Sequence, residues 1–145
     1  MRVIGFNFTK ISAEKLPDFK RCSINTNIEF TNLEKEKVEI LKDQEAVKLS
    51  FRFSVNYEEE KEKKEENNKK LGEVSFEGII VFSVTKEESK QLQKSWKKKQ
   101  ISPSIQIPIY NFILTKCSPK AVSLEDDLSL PIHLPVPQLK PKQDN

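Results

Sequence analysis

A strict two-residue alternation over residues 46–57 constrains the fold of this chain more than any other feature. Apolar side chains occupy every second position, and small or polar side chains occupy the positions between them. The apolar positions are Val47, Leu49, Phe51, Phe53, Val55 and Tyr57. Successive side chains of a β-strand point to opposite faces, and β-branched and aromatic residues favour strands. The pattern therefore predicts a strand with one buried face.

A second apolar stretch covers residues 72–84. Its first half alternates, and apolar residues then fill every position from Ile79 to Phe82, which is typical of a strand covered on parts of both faces. We therefore predict an inner strand. The connection over residues 58–70 contains eleven Glu or Lys among thirteen residues, so it should lie in solvent and join the two strands as an antiparallel hairpin.

Two further strands are predicted near the start of the chain, over residues 3–11 and 22–30. Both alternate apolar with polar residues, and Pro17 interrupts the pattern between them. Residues 32–43 fit either an extension of the second of these strands or a short helix, and we favour the extension.

A short helix should follow the hairpin. Thr85 and Glu88 have the spacing of a capping box, in which each side chain bonds the other residue's backbone N–H. The helix is predicted to end near Trp96. The lysines at 97–99 then read as a solvated helix end whose charge suits the C-terminal dipole, with a phosphate-binding patch as the functional alternative.

A longer helix is predicted within residues 101–122, with Pro108 as its first helical residue and Pro119 as its kink or stop. Apolar residues recur there at helical spacing: Ile109, Phe112, Ile113 and Cys117, with Tyr110 and Leu114 widening the stripe. A helix apolar over so much of its circumference needs burial on two sides. We therefore predict an oligomer interface at Ile109, Phe112 and Ile113.

Charge and composition narrow the class of protein. The 25 basic and 22 acidic residues leave a net charge of +3, which is unlike the one-sided field of a dedicated nucleic-acid binder. The chain shows neither the signal-peptide pattern nor the roughly twenty apolar residues of a membrane span, so we expect a cytoplasmic protein. Residues 1–139 should form one domain, with a flexible tail over residues 140–145.

Residues that could support catalysis or hold a metal are few. His133, the single histidine, lies among prolines without a nucleophile at a recognisable spacing, and only three glycines are available for a phosphate loop. The acidic run at 125–127 could bind a cation, but it is more typical of a solvated segment. The spacing of Cys22 and Cys117 favours two buried thiols over a disulfide or a metal site. We predict no enzyme activity, catalytic residue, metal or cofactor.

The order of these pieces resembles the SecB family of export chaperones over nearly the whole chain. Phe8-Thr9-Lys10-Ile11-Ser12, with Glu14 and Pro17, is similar to the family's Y-T-K-D-[IL]-S-x-E-x-P. Pro108-Ile109-Tyr110 occupies the place of its F-P-Y-A-R-E helix start, and the segment Leu130-Pro131-Ile132-His133-Leu134-Pro135-Val136 is similar to its F-P-x-L-x-L-x-P-V. The resemblance implies an α+β fold, in which a long helix packs on a four-stranded antiparallel sheet.

The chain departs from the family pattern at three places. Ile11 follows Lys10 directly, so the family's Asp, which docks to the SecA motor, is absent. Ser118 and Pro119 replace a Gly-rich helix end. Little sequence follows Val136, so the family's second helix is expected to be missing or vestigial.

The resemblance implies an ATP-independent holding chaperone, which binds extended apolar segments of unfolded or preprotein chains and assembles as a homotetramer. The residues expected to line its client groove are Phe19, Ile24, Ile28, Phe30, Leu128, Leu130, Ile132, Leu134 and Val136. Any one of them could instead belong to an ordinary core. Two alternatives stay open: a module dedicated to one partner peptide, and an RNA-binding sheet assisted by the lysines at 97–99.

Overall fold

The computed structural model describes residues 1–36, 43–60 and 69–142. Its elements, in chain order, are β1 (Arg2–Lys15), β2 (Cys22–Glu36), β3 (Gln44–Glu59), β4 (Lys70–Thr85), α1 (Lys86–Trp96) and α2 (Pro103–Asp127). The strands form one antiparallel sheet in the order β1-β4-β3-β2. The predicted α+β class, with a four-stranded antiparallel sheet and a long helix on it, is confirmed.

The central hairpin sets the register of the sheet. Phe53 of β3 lies opposite Phe76 of β4, and Val55 lies opposite Val74, so the alternating apolar sets of both strands share one face. The prediction that β4 is an inner strand is confirmed, because β1 and β3 flank it. The ends of the charged connection belong to the two strands, and its residues 61–68 lie outside the described residues.

The two outer strands extend further than their patterns predicted. β1 continues beyond Ile11 to Lys15, although Ile11 itself is half exposed. β2 continues to Glu36, which confirms the favoured extension as far as that residue. Residues 37–42 lie outside the described part of the chain. Ladder hydrogen bonds to the strong inner strands hold these weakly patterned ends in the sheet.

The hydrophobic core lies between one face of the sheet, here called the inner face, and the helices. α2 contributes a buried side chain at every fourth residue: Ile105, Ile109, Ile113, Cys117, Ala121 and Glu125. Residues four apart lie on one face of a helix, so the whole length of α2 lies against the inner face. At its middle, Phe112 contacts the ring of Phe6 on β1 with a centroid distance of 5.5 Å.

The predicted start of the long helix at Pro108 is wrong, and Pro119 does not stop the helix. α2 begins at Pro103 rather than Pro108, and it continues through Pro119 to Asp127. A proline removes the hydrogen bond to the carbonyl four residues earlier; here those carbonyls belong to Ser104 and Thr115, which are exposed. Water can bind them there, and the buried stripe on the opposite side holds the helix together.

The short helix forms as predicted. Thr85 and Glu88 make both bonds of the capping box, and α1 ends at Trp96. No helix follows Asp127 within residues 128–142, where the chain is irregular. Of the predicted tail, residues 143–145 lie outside the described residues.

Candidate functional site

Three apolar residues of β2 lie along one rim of the inner face. Ile24, Ile28 and Phe30 are the cross-strand neighbours of Tyr57, Phe53 and Phe51 on β3. They are less buried than these neighbours, because β2 is the edge of the sheet and α2 lies over the inner strands. This row of partly exposed apolar side chains is here called the β2 row.

The segment after α2 is irregular, with a bend at residues 133–134. Leu130 is only 5% exposed and packs near Gly72, while Ile132, Leu134 and Val136 are 36%, 43% and 56% exposed. The segment lies near the β2 row, because His133 contacts the ring of Phe53, whose cross-strand partner is Ile28.

A buried polar cluster anchors this segment to the sheet. Glu125 at the end of α2 is fully buried, and it accepts hydrogen bonds from the Tyr57 hydroxyl at 3.0 Å and the His133 backbone N–H at 3.3 Å. His133 Nδ1 lies 2.6 Å from Oε1 and 2.9 Å from Oε2 of the same carboxyl. The Tyr57 hydroxyl is also 2.7 Å from the carbonyl oxygen of Pro131. Strand, helix and C-terminal segment therefore meet at one carboxyl group.

The electrostatics of this cluster follow from its burial. Burial, and then the hydrogen bond and charge of Glu125, raise the pKa of Tyr57, so its hydroxyl stays protonated and can donate. The His133 side chain is 2% exposed, and its Nε2 has no partner among the described residues. A ring that donates through Nδ1 leaves Nε2 as an acceptor, which is less costly to leave unpaired than a buried N–H. This arrangement fastens a chain segment and does not present a reactive group to solvent.

A second feature opens at the far end of the β2 row. A cleft of about 400 Å³ lies between β2, the end of α1 and the start of α2. Its lining residues are Ile28, Glu29, Phe30, Trp96, Lys99, Gln100, Ile101, Gln106 and Tyr110. Phe30 and Tyr110 stack with their ring centroids 5.1 Å apart. This space, here called the Trp96 cleft, is continuous with the row at Ile28 and Phe30.

The predicted groove residues separate into three groups. Leu130 belongs to the core. Phe19 and Leu128 pack partly against it, and Phe19 contacts Tyr57 edge-to-face. The remaining six are partly or largely exposed, three at the β2 edge of the inner face and three in the segment after α2: Ile24, Ile28, Phe30, Ile132, Leu134 and Val136.

The residues predicted for an oligomer interface are mostly internal. Ile109 and Ile113 are fully buried against the sheet of their own chain, and Phe112 is partly exposed. The solvent side of α2 instead exposes Ile107 and Leu114, seven residues apart. The interface therefore stays a prediction, and these two side chains with Phe112 are the surface available for it.

Two other sequence interpretations can be compared with the structure. The acidic run was expected to be solvated, which holds for Asp126 and Asp127 but is wrong for Glu125. Glu125 continues the four-residue spacing of Ile113 and Cys117, so this pattern in the sequence could have predicted that Glu125 is buried. The aromatic walls of the Trp96 cleft carried no local signal, because three separate elements supply them.

The cysteines and the potential metal ligands form no further candidate site within the described residues. Cys117 is buried and Cys22 is partly buried, and both are free thiols. Within residues 1–36, 43–60 and 69–142, no group of three or more His, Cys, Asp or Glu side chains could hold a metal ion. Among the same residues, no helix has the length and apolar content needed to cross a bilayer.

Comparisons with known proteins show a likeness to solved structures. No protein-family model matches the chain, and no curated protein matches it. Among solved structures, it is similar to the Mycobacterium tuberculosis Rv1957 SecB-like chaperone, determined in complex with a ChAD peptide from the Rv1956 HigA1 antitoxin. The identity is 11%, the alignment covers 97% of this chain and 92% of that chain, and the TM-score is 0.48. The strand order and the placement of α2 described above establish the fold.

Proposed function

We propose that this protein is an ATP-independent holding chaperone, which binds extended apolar segments of unfolded or preprotein chains. The observation that carries the proposal is the exposed apolar surface formed by the β2 row and the segment at 132–136. The β2 row lies on the inner face at the sheet edge, the side chains at 132, 134 and 136 are exposed, and the segment is fastened in place by the buried contact of His133 with Glu125. Such a surface needs no nucleophile and no nucleotide.

The energetics suit weak binding at several points. Fully burying one aliphatic or aromatic side chain of the client gains on the order of 1.5–3 kcal/mol. The half-exposed groove residues would contribute a further gain, because the client covers the part of their surface that is still in water. Ordering an unfolded chain opposes this gain. Several contacts along the groove are therefore needed for useful affinity, and their apolar character permits many different sequences to bind.

The direct test is light scattering during refolding of two unrelated aggregation-prone proteins, with this protein added and nucleotide absent. We expect suppression of aggregation of both clients near stoichiometric ratios. No effect on either client by a folded sample of this protein would remove the proposal.

A matched pair of variants locates the site. Ile132→Asp with Leu134→Asp should abolish holding, because both side chains are exposed in the groove and their change places two charges there. Circular dichroism and the solution mass should be unchanged. The control is Leu139→Asp, which changes a fully exposed leucine of the same segment. If the control loses holding as strongly as the double variant, the groove does not carry the function.

We further propose that the protein acts in the cytoplasm, in protein export, as a homotetramer arranged as a dimer of dimers. Ile107, Phe112 and Leu114 on the solvent side of α2 would supply helix contacts between copies. Light scattering coupled to size exclusion should then report four chains, and Ile107→Asp with Leu114→Asp should lower that number. A monomer in the unchanged protein would contradict the assembly.

The second candidate is a dedicated interaction module that binds one partner peptide. The feature in its favour is the Trp96 cleft beside the edge strand β2, since strand addition with one side chain in a pocket gives sequence selectivity. The two candidates differ in selectivity. A chaperone binds unrelated unfolded proteins, whereas a module discriminates among peptides and leaves aggregation of unrelated clients unchanged.

A further inference from the structure

We propose that the Trp96 cleft is a selective subsite for an aromatic side chain flanked by acidic residues in an extended partner polypeptide. This inference rests on the proposed function, because the cleft is the end of the same groove. It adds a chemical preference that the apolar groove alone does not have.

The walls of the cleft suit a flat ring. Phe30 and Tyr110 stack at an interplanar angle of 22°, and Gln106 Nε2 donates to the Tyr110 hydroxyl at 3.0 Å, which orients that ring. Trp96 is half-buried and lines the same space. A volume of about 400 Å³ falls within the roughly 300–1,000 Å³ typical of ligand pockets. One phenyl or indole group can therefore enter and pack against aromatic walls.

A strained lysine brings positive charge to the rim. Lys99 has φ = 57°, the left-handed conformation that usually requires glycine at the end of a helix. The turn is closed by Lys99 N–H donating to the Trp96 carbonyl at 2.8 Å and Gln100 N–H donating to the Ser95 carbonyl at 3.2 Å. Lys99 Nζ then lies 4.6 Å from the centroid of the Trp96 ring. A glycine would form this turn with less strain, but it would provide no cation.

The positive charge at the cleft has no ion-pair partner within the described residues. Lys99 lines the cleft, and Lys97 and Lys98 precede it in the same turn. All three are exposed, and none forms an ion pair with any residue in the described ranges. The acidic lining residue Glu29 lies between Ile28 and Phe30 on β2, so strand alternation turns its side chain to the opposite face of the sheet. Its cross-strand neighbour there is Arg52. The cleft therefore presents unpaired positive charge, which is complementary to carboxylates beside the bound ring.

The backbone beside the cleft can accept an extended chain. β2 has one neighbouring strand within the described sheet, so its other edge is unpaired. A register shift between Phe30 and Asn32 leaves Thr31 as an extra residue at the mouth of the cleft. Such bulges end or redirect pairing at an edge. A partner strand could thus pair with β2 up to this point and turn its aromatic residue into the cleft.

The experiment uses the intrinsic fluorescence of Trp96, which is the single tryptophan of the chain. The probes are three tryptophan-free synthetic peptides with the same apolar positions and one central Phe. They differ only in the residues beside that Phe, which are Glu, Ser or Lys. Titration at low and high salt gives the affinity of each peptide at this cleft.

We expect the Glu peptide to bind most tightly and the Lys peptide most weakly, with the difference shrinking at high salt. Exposed ion pairs each change affinity by about 1.4- to 5-fold. Lys98→Gln with Lys99→Gln should therefore weaken the Glu peptide by about 2- to 25-fold and leave the Ser peptide nearly unchanged. The control is Lys116→Gln with Lys120→Gln, which changes two lysines that lie over Phe112 and Phe8 away from the cleft.

The variant Lys99→Gly distinguishes an effect of the lost charge from an effect of lost stability. It should raise the melting temperature, because it relieves the left-handed strain, and it should still weaken the Glu peptide. A variant that is more stable and binds the Glu peptide less well cannot be explained by unfolding.

Three results would overturn the inference. The first is equal affinity for the Glu and Lys peptides. The second is a preference for the Glu peptide that survives in Lys98→Gln with Lys99→Gln. The third is displacement of a bound peptide from the cleft by an RNA oligonucleotide at a lower concentration than the Glu peptide requires. If the light-scattering assay succeeds and the peptide preference is absent, the holding function stands without this subsite. If both clients aggregate freely in the presence of folded protein, the proposed holding function itself fails, whatever the peptides do.

Discussion

Replacing Glu125 with Leu should lower the stability of the protein much more than expected for a residue in an acidic run. The carboxyl group is fully buried, and it accepts hydrogen bonds from Tyr57, from the His133 backbone and from His133 Nδ1. The side chain of His133 is itself buried. Leucine fills a similar volume, so the change removes the acceptor with little change of packing.

The expected cost follows from the donors left unpaired. The buried Nδ1–H and the part-buried backbone N–H of His133 would lose their acceptor, at about 1–3 kcal/mol for the buried group and less for the other. The Tyr57 hydroxyl would keep the Pro131 carbonyl. We therefore expect a loss of about 3 kcal/mol in the free energy of unfolding, a large share of the 5–15 kcal/mol typical of a domain.

Adding His133→Leu to Glu125→Leu tests whether the loss of stability comes from breaking the interaction between these two residues. Replacing both partners with apolar residues leaves few polar groups unpaired, so the double variant should be at least about 2 kcal/mol more stable than the sum of the single changes predicts. Urea unfolding, followed by far-ultraviolet circular dichroism, measures each variant. Asp126→Leu is the exposed control and should change stability by no more than about 0.5 kcal/mol.

Two outcomes would refute this reasoning. One is a loss below about 1 kcal/mol for Glu125→Leu, which would mean that the carboxyl is hydrated in solution. The other is strict additivity of the two single changes, which would mean that Glu125 and His133 do not interact.

Three further predictions concern titration, thiol reactivity and backbone packing. Burial and the adjacent carboxyl raise the pKa of Tyr57, so its contribution to stability is present below about pH 10 and is lost as the pH rises further; Tyr57→Phe should remove that part of the alkaline decline in urea unfolding. Burial raises the pKa of Cys117 to about 12, so a chromogenic thiol reagent should modify the partly exposed Cys22 first, and equal rates would contradict the buried position. Gly78→Ala should cost about 1–3 kcal/mol in thermal unfolding, because the added Cβ would lie 2.7 Å from a backbone oxygen and an aromatic ring. Gly5→Ala, whose nearest contact would be 3.7 Å away, is the control and should be nearly neutral.

The buried cluster also connects stability with the proposed groove. His133 lies between Ile132 and Leu134, so the contact that holds its ring also sets the position of these two exposed side chains. A protein could expose an apolar segment by leaving it loose, but a loose segment would lose conformational entropy when a client binds. Holding the segment in place removes part of that cost before binding begins.

The sequence by itself determined the sheet. The alternation around Phe53 and the charged connection after it were enough to predict the central hairpin, the inner position of β4 and the face that becomes the core. The capping box at Thr85 likewise predicted the start of α1. These features are readable because strand alternation and helix capping depend on residues adjacent in the chain.

Only the tertiary structure decided the course of α2 and the environment of its last turn. Local rules predict that Pro119 stops a helix, yet packing along the buried stripe outweighs one lost hydrogen bond on the solvent side. Glu125 reads as a solvated acid beside Asp126, yet it is buried because partners from β3 and the C-terminal segment satisfy its oxygens. The Trp96 cleft likewise exists only where β2, α1 and α2 meet. Each of these features depends on groups distant in the sequence, whose contacts form only when the chain is folded.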